Sequence, residues 1–158
     1  MIDQNLPWES FAFLPNLIAL AAAYVLALPI GWNREKEERS AGLRTFPLVA
    51  VASCGFVQAA QSMQGVDAQA MARVIEGIIT GMGFIGGGAI LKLKNTVKGT
   101  ATAASLWVTG AIGTAVGLGS YDVAVVLCLV TVATLLVFSP FNRDPNEKAP
   151  ERMDSEEG

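Results

Sequence analysis

Five apolar stretches follow one another along the chain, at about 11–32, 45–61, 70–91, 100–118 and 121–138. Charged or glycine-containing connectors separate them. The first stretch rises about 33 Å as a helix, enough to cross a hydrocarbon core of about 30 Å. Long apolar runs separated by short charged clusters are the pattern of a polytopic membrane protein. Trp8 and Trp32 flank the first stretch, where indoles favour the headgroup layer. Pro47 falls in the first turn of the second, where its missing N–H costs nothing. The connector Gly119-Ser120 is so short that the fifth helix must return antiparallel, and Ser139-Pro140 stops it. The pattern predicts an all-α polytopic transmembrane bundle of about five spans within residues 1–138. Residues 139–158 are polar and acidic and are expected to form a disordered cytoplasmic tail.

Charge supports this reading and orients it. Only 16% of the residues are charged, against about 25% in soluble domains. Arg34, Lys36, Arg39 and Arg44 follow the first span, Lys92, Lys94 and Lys98 the third, and Arg143, Lys148 and Arg152 the fifth. The opposite connectors carry no Lys or Arg, apart from Arg73 at the edge of a span. This asymmetry predicts the N-terminus outside and the C-terminus in the cytoplasm. Met1–Glu9 lacks the basic residues of a signal peptide. No basic stripe interleaved with aromatics points to nucleic acid. Cys54 and Cys128 lie in apolar runs and read as packed small hydrophobes. The chain has no histidine and no evident nucleophile–base pair or metal-ligand cluster, so neither an enzyme nor a cofactor is expected.

Three groups of polar or small residues remain as candidates. On the cytoplasmic side the second and fourth helices both begin, presenting unpaired N–H groups and partial positive charge. Arg34, Glu35, Arg44 and Thr45 cluster at the first of these ends, and Lys98, Thr100 and Thr102 at the other. Together they would suit an anion. Alternatively Glu35, Glu37 and Glu38 are internal counter-ions, or the whole segment 34–44 is a solvated loop. Within the third span, Arg73 and Glu76 are three residues apart on one helix side. They are either a structural ion pair or a cation or proton site, since intramembrane carboxylates need pairing, burial or protonation. Gly77, Gly81, Gly83, Gly86, Gly87 and Gly88 make that span unusual, and either let neighbouring backbones approach or break the helix, as in transporters. Gly113 and Gly117 repeat the close-packing spacing in the fourth span, so the third and fourth spans are expected to form the tight central pair. Trp107 lies too deep for an interfacial anchor and is expected to point into the bundle, where its N–H needs a partner.

Three blocks carry a family resemblance: Gly31-Trp32-Asn33-Arg34-Glu35 with Ala41-Gly42-Leu43-Arg44-Thr45; Arg73-Val74-Ile75-Glu76-Gly77 leading to Gly81-Met82-Gly83-Phe84-Ile85-Gly86-Gly87-Gly88; and Val97-Lys98-Gly99 leading to Thr102-Ala103-Ala104-Ser105-Leu106-Trp107. In this order, across residues 31–119, they resemble the MgtC/SapB family of bacterial membrane proteins. The resemblance implies a five-span membrane domain, a link to growth in low magnesium and to survival inside host cells, and a regulatory action on other membrane proteins, including the proton-translocating ATP synthase. The best-known branch has Glu, Asn and Cys where this chain has Leu93, Ala101 and Val108, and carries a cytoplasmic C-terminal domain that this chain is expected to lack. Position 76 is Glu where many relatives have Gln.

Two functions follow as expectations. One is a non-enzymatic regulator or accessory factor in magnesium and cation homeostasis and stress adaptation, working through the Arg34/Glu35/Arg44/Thr45 site. The other is a small ion or solute transporter or channel, built as a homo-oligomer around Glu76 and the glycine-rich third helix. Expected partners are the lipid bilayer, other membrane proteins and further copies of the chain, not nucleic acid. Bound magnesium is not expected, because Glu76 beside Arg73 is a poor cage for it.

Overall fold

The computed structural model describes residues 13–37, 41–93 and 96–138. It is an all-α bundle of α1 (Phe13–Lys36), α2 (Thr45–Gln61), α3 (Ala68–Gly88), α4 (Thr100–Gly117) and α5 (Tyr121–Phe138). Three of these helices, α1, α3 and α5, are long and apolar enough to cross a membrane, and α2 is a shorter apolar helix. Residues 11 and 12 of the expected first span and the tail 139–158 lie outside the described residues.

Local chemistry sets the boundaries. The Gly42 carbonyl accepts from the N–H groups of Thr45 and Phe46, opening α2. The Asp67 carboxylate caps α3 by accepting the Ala70 N–H at 2.7 Å. The α4–α5 turn is a Schellman motif. Gly119 adopts φ +79°, its N–H reaches Val116 O, and the Ser120 N–H reaches Ala115 O. The third helix ends at Gly88 rather than near residue 91, because Leu91–Leu93 forms β1, paired antiparallel with β2 (Thr96–Lys98). Gly99 closes this hairpin onto α4 at φ +91°, so close to the Ala89 carbonyl that no Cβ fits.

The core forms around α4, which packs against the other four helices and buries residues on every side, from Thr102 to Gly117. Its tightest seam is with α2. A Cβ at Gly113 would overlap the Ala50 carbonyl, and one at Gly117 would sit 2.8 Å from Val57 Cβ and 3.0 Å from the Cys54 carbonyl oxygen. The expectation of a central third–fourth pair is therefore corrected to α2–α4. The helix α3 meets α4 at fewer points, with Met82 over Gly110 and Gly86 against Ala103, and it touches α2 only lightly. Three hydroxyls of α4 are turned back on their own helix: Ser105 donates to Ala101 O, Thr109 to Ser105 O and Thr114 to Gly110 O, at 2.7–2.9 Å. Both cysteines are free and buried, and the Cys128 thiol donates to Leu26 O, tying α5 to α1.

Candidate functional site

The junction of α1 with α2 gathers four of the expected site residues. α1 continues through Arg34 to Lys36, so these residues belong to its last turn rather than to a loop. Arg34 is 3% exposed. Its guanidinium donates to Asn33 Oδ1 and pairs with Glu37 at 3.2 Å. Glu35 has a different task. Its Oε2 accepts the Leu43 N–H at 3.0 Å, and Gly42 lies flush against the same carboxylate with no room for a Cβ. Gly31 lets the 42–43 backbone close onto α1, since a Cβ there would meet Gly42 O and Leu43 Cα at 3.3 Å. The motif is thus a clasp between two helix ends, with Arg34 neutralised inside it.

Arg44 escapes this clasp. Among the described residues its side chain has no hydrogen bond or ion pair, and it sits exposed at the N-cap of α2. With Thr45 it stands at one end of a groove of about 820 Å³ between α2 and α3. The walls are apolar, with Leu48, Phe56 and Met63 from α2 and Ile78 and Ile85 from α3. Gly77 and Gly81 line the same groove with nothing within 4 Å of where a Cβ would stand, so their missing side chains keep it open. Ser53 adds one polar point. It is 3% exposed, lines the groove, and its hydroxyl has no partner among the described residues. It lies nine residues along α2 from Arg44, about 13 Å at the helical rise. The sequence offered a weak signal for Ser53, a lone hydroxyl inside an otherwise apolar run.

The remaining candidates are dispersed. Ala50 faces Gly113, so Thr45 begins α2 five residues before that contact while Thr100 begins α4 thirteen residues before it. The two N-termini are staggered by about 12 Å rather than level. Thr102 is buried at 1% exposure, without a hydrogen-bond partner among the described residues, and Lys98 is exposed on β2. Arg73 and Glu76 form no ion pair, and both are exposed on α3. α3 is continuous through Gly86–Gly88. Of its glycines only Gly86 touches another helix, while Gly77, Gly81, Gly83, Gly87 and Gly88 face open space. Trp107 corrects an expectation. It is 50% exposed and rims a second cleft, of about 330 Å³, between α3, α4 and α5. Because α4 is apolar or small on all sides, its sequence does not mark which face meets a gap between neighbours. Among the described residues no three His, Cys, Asp or Glu side chains gather as metal ligands.

Comparison with known proteins agrees with the motif blocks. The model of the MgtC family matches residues 20–144. Protein SrpB of Synechococcus elongatus is 35% identical over 78% of this chain and 75% of its own length. Protein MgtC of Salmonella typhimurium is 33% identical over 77% of the chain and 52% of its own length. Protein MgtC of Brucella abortus is 37% identical, over 84% and 54% respectively. The chain thus spans about half the length of the MgtC proteins it matches. No solved structure gives a significant match.

Proposed function

The chain belongs to the MgtC family of membrane proteins, and from that premise we propose that it is a non-enzymatic regulator or accessory factor in magnesium and cation homeostasis. It works as a multi-pass protein of the bacterial cytoplasmic membrane, with its basic connectors inside. The observation that carries the reading is the α2–α3 groove with Arg44 at its mouth. A guanidinium with no partner among the described residues, an apolar wall and a buried hydroxyl about 13 Å along suit a transmembrane segment of another membrane protein. That segment would place an acidic flank on Arg44 and a polar side chain against Ser53. The clasp of Glu35, Gly42 and Gly31 fixes the start of α2 and so fixes where Arg44 stands.

Arg73 and Glu76 lie on exposed positions of α3 and line neither of the two clefts described. This placement favours regulation over a conduit through a single bundle. The test is growth under magnesium limitation with Arg44→Ala expressed at the normal level. The expected result is a growth defect like that of the deletion strain, with little change in protein stability. Unchanged growth overturns the reading.

A further inference from the structure

The helix α3 is amphipathic in the wrong sense for a bundle edge in lipid. Ile78, Met82 and Gly86 turn inward to α4. On the opposite side Gln69, Arg73, Glu76, Thr80, Gly83 and Gly87 recur at intervals of four and three residues, and every one of them is exposed. That alternation is the heptad seam along which two helices stay in contact. Gly83 and Gly87 have no atom within 4 Å of a Cβ position, and their four-residue spacing permits close backbone approach. Arg73 lies near the start of α3, and its long side chain could reach the interface. Glu76, eight residues into the helix or about 12 Å, has too short a side chain for that. A carboxylate and a hydroxyl at this depth are disfavoured against hydrocarbon and call for a protein cover.

We propose that this cover is the same face of α3 in a second copy of the chain, related by a two-fold axis along the membrane normal. Two identical chains inserted alike present α3 in the same direction and at the same depth. The seam holds one cation and one carboxylate three residues apart, about 4.5 Å along the axis, so each long Arg73 side chain reaches diagonally to the partner's Glu76 one layer deeper, and the four charges balance. A foreign helix would need its own cation and carboxylate at matching depths. The glycine end provides the close crossing, and the charged end sets the register. The seam lies on a different side of α3 from the groove beside Arg44, so the two surfaces are independent.

The test is oxidative cross-linking in native membranes, using the full chain with its buried Cys54 and Cys128 retained. The unmodified chain and Leu129→Cys, on an exposed position of α5, should give no dimer, whereas Thr80→Cys should give a disulfide-linked homodimer. Adding Glu76→Arg to Thr80→Cys should lower the cross-linked fraction at least tenfold, and Arg73→Glu with Glu76→Arg together should restore it to within twofold. Should the single charge variant fail to accumulate, the double exchange must still cross-link as Thr80→Cys does. Absence of dimer, equal dimer from Leu129→Cys, a cross-link only to a different protein, or indifference to the charge exchange would each overturn the proposal.

Discussion

The helices α3 and α4 are both rich in glycine, and they use it in opposite ways. In α4, Gly113 and Gly117 disappear into the backbone of α2. In α3, all but one of the glycines face open space. Glycine content therefore does not by itself report packing. What decides is the element opposite, and in α4 that element is another helix of the same bundle, whereas in α3 it is a groove or an uncovered seam. The first arrangement builds the fold, and the second leaves surfaces available for association.

Substitutions can break or sharpen this contrast. The largest effect is expected at the α2–α4 seam. Gly113→Leu should destabilise the protein by about 3 kcal/mol or more, because backbone must move to admit any Cβ. Thermal or denaturant unfolding in detergent would measure it, and near-neutral stability would contradict the seam. Next comes the clasp, where Glu35→Ala should cost about 1 kcal/mol by releasing the Leu43 N–H. Gly42→Ala should cost a similar amount, by forcing the carboxylate away. Since both act through one contact, Gly42→Ala should have little further effect in the Glu35→Ala background, and a double-mutant cycle checks this. The smallest effect is expected at Gly81→Ala, which should be neutral or stabilise by up to about 1 kcal/mol, since a methyl meets nothing and helix propensity improves. A clear loss of stability there would show that the groove is closed in the protein.

The five helices were legible because long uncharged runs and abrupt charged breaks leave few alternatives. The hairpin was not. Leu91-Lys92-Leu93 and Thr96-Val97-Lys98 do alternate around Asn95, but eight residues holding three lysines read equally well as an orienting connector. Gly113 and Gly117 carried the right spacing without naming their partner, because α4 is small or apolar on every side. The motif residues Arg34, Glu35 and Arg44 were visible as a block, yet their division of labour was not. Burial of Arg34 against Glu37 depends on α1 continuing through the charged cluster. That Arg44 has no partner among the described residues follows from Glu35 holding the backbone beside it rather than the guanidinium. Such distinctions arise from tertiary placement, which adjacency in sequence does not encode.

The hydroxyls of Ser105, Thr109 and Thr114 all point back along α4. Those three groups offer the surrounding helices no directional grip. Recognition along that stretch rests on contour alone, a relief of hollows and knobs. A hollow can be lost through a single added methyl, whereas any of these hydroxyls could be exchanged for a methyl group with far less disturbance to how the helices find one another.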